Sequence, residues 1–150
     1  MLDEMLRRTT IFRRLSPDDR QRLAAVANTQ EFGKGDLLFS EGDASDYLYT
    51  IVTGRVKVFK STARGTDVIL ELFGPGDPVG AVAAYDSRAY PASAVALEPT
   101  TCVLIPRQTF FALLESHPSM VRGLLGGLTH RLVEFQSSRM LDARSGKIAS

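Results

Sequence analysis

Asp46-Tyr47-Leu48-Tyr49-Thr50-Ile51-Val52-Thr53-Gly54-Arg55-Val56-Lys57-Val58 decides the fold. Tyr47, Tyr49 and Ile51 recur at every second residue, and Val56 and Val58 alternate with Arg55 and Lys57. That is the period of strands with one buried face. Gly54 divides the two runs and supplies the turn conformation that a side chain would strain. Outward from this pair, the same punctuation recurs between Gln30 and Pro106: Gly33-Lys34-Gly35-Asp36, Glu41-Gly42-Asp43, Arg64-Gly65, Gly74-Pro75-Gly76-Asp77 and Glu98-Pro99. Val68, Leu70 and Leu72 flank Glu71 with the same alternation. Turn chemistry at roughly eight- to twelve-residue intervals predicts an antiparallel β-roll or jelly roll rather than a parallel sheet.

Helices are expected on both sides of the roll. Ser16-Pro17-Asp18-Asp19 reads as a helix start, with Ser16 as N-cap, Pro17 at the first helical position and Asp19 placed for a capping-box-like pair. Leu23, Val26 and Ala27 form its apolar stripe. After Pro106 the spacing predicts a short helix from Arg107 to Ser116 and a long one opened by Pro118, without a stop signal until about Asp142. Val121, Leu125, Leu128, Leu132 and Phe135 follow a heptad seam, which suits either a second helix or the chain's own roll. Gly123, Gly126 and Gly127 weaken this helix by about 0.8–1 kcal/mol each. Close approach of another backbone, as in a small-xxx-small contact between Gly123 and Gly127, accounts for them better than flexibility does.

Composition narrows the function classes. The 150 residues suit one well-buried domain with appendages, here 1–117 for N-terminal helices and roll, 118–142 for the long helix and 143–150 for a tail. Apolar residues make up 44%, and 18 Lys and Arg against 17 Asp and Glu leave a net charge of +1, so no basic field advertises nucleic-acid binding. The single cysteine, Cys102, rules out an intrachain disulfide and a cysteine-ligated iron–sulfur cluster from one chain; it reads as a buried strand thiol. No stretch approaches a membrane span and the N-terminus lacks a secretory pattern, so a cytoplasmic protein is expected, without membrane partners. Paired-carboxylate, nucleophile-elbow, Walker and metal-ligand motifs are not found, so the chain is not read as an enzyme.

Taken in order, Lys34-Gly35-Asp36, Leu38-Phe39, Glu41-Gly42-Asp43, residues 46–51, Gly54-Arg55-Val56-Lys57-Val58 and Gly74-Pro75-Gly76-Asp77-Pro78-Val79-Gly80 resemble the cyclic-nucleotide-binding superfamily. Because a long helix and Leu141-Asp142-Ala143 follow the roll, the chain resembles the Crp/Fnr-type transcription regulators within it. That resemblance implies a homodimer through Val121, Leu125, Leu128, Leu132 and Phe135, a small-molecule effector, and a helix-turn-helix after Ser150. On this reading the chain is the sensing half of a regulator, and DNA and RNA polymerase are partners only through the domain it lacks.

The resemblance also implies an effector pocket between roll and dimerisation helix, under a short helix after Gly80. Nucleotide-binding members place a Glu after this glycine for the ribose and an Arg-Ser pair downstream for the cyclic phosphate. Here Ala81 replaces the Glu, and Tyr90-Pro91 stand at the Arg and Ser positions. An obligate anion needs a cationic, bidentate-capable partner, so the expected pocket of Gly80, Ala81, Val82, Tyr90, Pro91, Ala92, Ser93 and Arg131 is not read as a cyclic AMP site. Arg88 reads as a solvated loop residue. His117 and His130 are candidate haem ligands but read more simply as surface or packing residues. The alternative is a regulatory domain of a larger kinase- or channel-type protein; such relatives usually keep the Glu and Arg.

Overall fold

The computed structural model describes residues 2–128. His130, Arg131, Leu132, Phe135 and the tail at 143–150 lie outside the described residues. Eight strands form the roll: β1 (Asn28–Phe32), β2 (Leu37–Phe39), β3 (Tyr47–Thr53), β4 (Val56–Ser61), β5 (Asp67–Phe73), β6 (Pro78–Val79), β7 (Ser93–Ala96) and β8 (Thr100–Pro106). They make two four-stranded sheets, ordered β1-β8-β3-β6 and β2-β7-β4-β5. Every pairing is antiparallel, which bears out the expected class.

One turn device recurs at three corners. Asp36, Asp43 and Asp77 each donate a backbone N–H to the carbonyl three residues earlier, at Gly33, Ser40 and Gly74. Each of the three carboxylates accepts the N–H of that same earlier residue, at 2.7, 3.0 and 2.8 Å. The residue before each Asp is a glycine at φ +89°, +92° or +87°, the left-handed conformation that the third position of a type II turn demands. Gly54 is required for a second reason: at φ +104°, a Cβ would lie 2.2 Å from Thr100 Oγ1.

Two apolar layers share β8. Cys102 and Leu104 face the interior between the sheets with Phe39, Tyr49, Ile51 and Val56. Val103 and Ile105 face the opposite way, into a cluster with Leu6, Ile11, Phe12, Leu15, Leu23, Met120 and Leu124. Both faces of the strand are covered, which is why Cys102-Val103-Leu104-Ile105 is continuously apolar. Burial pushes the Cys102 thiol up to about 12, as expected for a structural rather than a reactive cysteine.

The helices covering that second layer are α1 (Leu2–Arg8), α2 (Pro17–Val26), α4 (Arg107–Ser116), and α5, described over 118–128. Ser16 caps α2 by accepting the Asp19 N–H at 3.2 Å. The Asp19 carboxylate interacts with Ser16 and also reaches beyond the cap. Buried to 1% exposure, it accepts Arg22 Nη1 at 2.6 Å and the Ser119 hydroxyl at 2.8 Å, tying α2 to the first turn of α5. Of the expected apolar stripe of α2, Leu23 and the C-cap Ala27 are buried and Val26 is partly covered.

Helix α5 carries two apolar faces. Met120 and Leu124 are buried against the domain, whereas Val121, Leu125 and Leu128 are 39%, 57% and 43% exposed. The docked face and the heptad seam are thus different sets of residues. Close backbone approach explains Gly123 and Gly127 but not Gly126, and the neighbour is the chain's own segment 11–15. A Cβ at Gly127 would lie 2.1 Å from the Ile11 carbonyl oxygen, and one at Gly123 would lie 2.9 Å from Leu15 Cδ2.

Strand β5 departs from the simple alternation. Val68, Leu70 and Leu72 are 47%, 55% and 64% exposed. It is an edge strand, and pairing shifts from Val58–Glu71 to Phe59–Ile69, so Leu70 is an extra residue in a bulge.

Candidate functional site

A cavity of about 370 Å³ opens inside the roll, lined by Phe39, Val58, Glu71, Phe73, Pro78, Gly80, Ala81, Val82, Ala83, Tyr90, Pro91 and Ala92. Its roof is the short helix α3 (Ala81–Tyr85), which Gly80 opens at φ +73°. A Cβ at Gly80 would lie 2.7 Å from Tyr90 Cε1 and 3.2 Å from Phe39 Cζ. Glycine is therefore needed there both for the backbone and for the aromatic pair beneath it.

That pair is the floor. Tyr90 is 3% exposed, stacked on Phe39 with ring centroids 3.7 Å apart and planes 11° off parallel. Its hydroxyl donates to the Tyr47 carbonyl at 3.0 Å, and its N–H donates to the Asp43 carbonyl at 2.9 Å. Burial, reinforced by Tyr49, Asp46 and Asp43, holds the phenol well above its ordinary range. Tyr90 is thus a neutral aromatic with its polar end already satisfied. The buried Ser45 hydroxyl, within 3.1 Å of the Ala83 carbonyl and 2.5 Å of that of Arg88, ties α3 and the following loop to the segment before β3.

Six of the expected pocket residues, Gly80, Ala81, Val82, Tyr90, Pro91 and Ala92, line this one cavity. Ser93 does not: it opens β7, and its hydroxyl accepts the Glu41 N–H at 2.9 Å. Arg88 pairs with Asp86 at 3.1 Å, stays 63% exposed and is not part of the lining. His117 is the C-cap of α4, also outside it. Sequence reasoning did not assign Phe39, Val58, Glu71, Phe73, Pro78 and Ala83 to the pocket. Alternation on β4 marks Val58 as inward-facing, and the recurring turns frame Phe39 and Pro78; Glu71 carried no such signal.

The expected contribution of the long helix to this pocket, Arg131, lies outside the described residues. Among the described residues, those of α5 do not line the roll cavity. Leu124 and Leu128 instead line a separate apolar cleft of about 160 Å³, with Ile11, Phe12, Leu48, Thr50, Ile105 and Phe110. Pro78 and Ala81 belong to both hollows and form the partition. Among the described residues, no helix is long and apolar enough to cross a membrane.

Comparison with known proteins agrees with this architecture. Residues 29–117 match the model of the cyclic nucleotide-binding domain. The chain is 28% identical over 131 residues to the CRP-like cAMP-activated global transcriptional regulator of Mycobacterium tuberculosis, covering 87% of this chain and 58% of that protein. It is 30% identical over 126 residues to the cAMP-dependent protein kinase regulatory subunit of Dictyostelium discoideum, covering 81% of this chain and 38% of that one. The solved N-terminal domain of a transcriptional regulator from Streptomyces coelicolor A3(2) superposes with a TM-score of 0.68 at 26% identity, over 89% of this chain and 94% of that one. The chain thus spans a little over half the length of the mycobacterial regulator. With residues 29–117, more than half of its length, matched by that model, this chain belongs to the cyclic nucleotide-binding domain family, with Crp-like regulators among its homologues.

Proposed function

We propose that the chain is the effector-sensing and dimerisation part of a Crp/Fnr-type transcription regulator, and that its effector is not cyclic AMP. The observation that carries this reading is the cavity itself. Among the described residues its lining holds no Lys, Arg or His, and Tyr90 is packed and hydrogen-bonded at the position where the resemblance puts a phosphate-gripping Arg. Hydrogen bonds to charged groups contribute about 1.5–3 kcal/mol each, so losing the Glu and Arg contacts together removes about 3–6 kcal/mol. That corresponds to roughly two to four orders of magnitude in affinity.

Dimerisation is supported by the seam. Val121, Leu125 and Leu128 lie exposed along α5 while its other face is docked, and an apolar stripe of this kind favours a second copy. Light scattering should give a dimer mass for the chain and a monomer mass for Val121→Glu/Leu125→Glu, since these seam side chains are 39% and 57% exposed. A mass unchanged by this double substitution overturns the interface. DNA and RNA polymerase enter this reading only through a helix-turn-helix domain outside the chain, and a cytoplasmic setting goes with them. The kinase-subunit similarity supports a second reading, a roll that restrains an attached domain; the exposed seam favours the first.

A further inference from the structure

Resting on the reading of the roll cavity as an effector site, we infer the chemical class of its occupant: a small aromatic or aliphatic body carrying a protonated amine, held by the Glu71 carboxylate at the mouth. Glu71 is the one formally charged side chain among the described residues lining the cavity; the rest of the lining is apolar, apart from a phenol already committed to Tyr47. Register places Glu71 opposite Val58 across β4 and β5, so the carboxylate flanks an apolar wall.

The nearby cations do not alter the sign. Lys57 lies over the Phe59 ring at 5.2 Å, and Arg88 is held by Asp86; neither lines the cavity. A lone carboxylate at an apolar mouth repels an anion, tolerates a neutral molecule and attracts a cation. At about 370 Å³ the cavity lies near the small end of ligand sites. Phe39 and Tyr90 already stack on each other beneath it. Val58, Phe73, Val82 and Pro91 supply the walls, which suits one ring or a short branched chain.

An isosteric series separates body from charge: phenethylamine, phenethyl alcohol and phenylacetate, titrated into the full chain by calorimetry or ligand-observed NMR. The amine should bind tightest and phenylacetate weakest. Glu71→Gln should lower amine affinity about three- to fivefold, the most that an exposed ion pair supplies, and leave the alcohol unchanged. Glu71 is exposed on an edge strand, so this substitution does not threaten folding. Phenylacetate binding as tightly as the amine overturns the charge inference, leaves the effector reading standing, and directs attention to a cation outside the described residues, Arg131 first. Binding by none of the three overturns this proposal, and if both cyclic nucleotides also fail to bind, the effector reading falls with it.

Discussion

Gly126→Ala and Gly127→Ala should change stability in opposite directions although they are neighbours in one helix. In a helix interior each exchange gains about 0.8–1 kcal/mol of propensity. At Gly126 a Cβ meets only Arg14 side-chain atoms, the nearest at 3.5 Å, which is ordinary contact. This variant should be more stable by the full propensity gain, and at about 2–4 °C per kcal/mol its melting point should rise by a few degrees. At Gly127 the Cβ meets main chain instead, 2.1 Å from the Ile11 oxygen and 2.7 Å from its carbon. Helix and segment 11–15 must part, and overpacking costs about 1–3 kcal/mol. Propensity cancels between the two variants, so their difference isolates the docking of α5 and should reach about 1–3 kcal/mol. Thermal and urea melts followed by circular dichroism, at one protein concentration, measure it. Equal shifts of the same sign would refute the docking of α5 on the N-terminal segment.

Asp19 should shape the acid limb of stability. Burial pushes its carboxyl up, and hydrogen bonds from Ser119, Arg22 and Ser16 outweigh that and hold it below the ordinary value. A depressed folded-state pKa means that the stabilisation is present above the unfolded value and lost as pH falls through the folded one. Asp19→Asn should therefore destabilise the chain at pH 7 by about 1–3 kcal/mol and flatten the loss of stability between roughly pH 5 and the acid limit; an unchanged pH profile in urea melts would contradict the latch. The Cys102 thiol, fully buried and raised by that burial, should react with a thiol reagent only as fast as the domain unfolds; rapid labelling of native protein would contradict its place in β8. Gly80→Ala should melt lower, because the left-handed backbone and the Tyr90 ring both oppose a side chain; unchanged stability would show that α3 opens elsewhere.

The parts of this fold that were legible in the sequence are those fixed by backbone chemistry. Gly35-Asp36, Gly42-Asp43 and Gly76-Asp77 mark corners because a positive φ and an Asx acceptor are local requirements, satisfied without knowledge of the partner strand. Gly54, the Ser16 cap and the apolar run through Cys102 are of the same kind. What was not legible depends on neighbours. Val68, Leu70 and Leu72 have the pattern of a buried face, but β5 is a bulged edge strand, and none of the described residues buries those three. The seam on α5 proved separate from its docked face only once Met120 and Leu124 were seen packed against the domain. Likewise Gly123 and Gly127 announced a close approach without naming segment 11–15.

The candidate site divides the same way. Ala81, Tyr90 and Pro91 stood out because they break an expected pattern at known positions, and all three line the cavity. Glu71 was hidden because its place opposite Val58 depends on strand pairing, and Phe39 became part of the floor only through its stack with Tyr90, fifty-one residues further on.

The most direct test of the central claim is calorimetric titration of the full chain with cyclic AMP, with cyclic GMP in parallel. With the Glu and Arg contacts gone and about 3–6 kcal/mol of charged hydrogen bonding missing, no heat of binding should be measurable for either nucleotide at micromolar concentrations, and any affinity should lie two to four decades weaker than that of a site with the full grip. A dissociation constant in the low micromolar range for either would contradict the account and identify Arg88, released from Asp86, as the compensating cation.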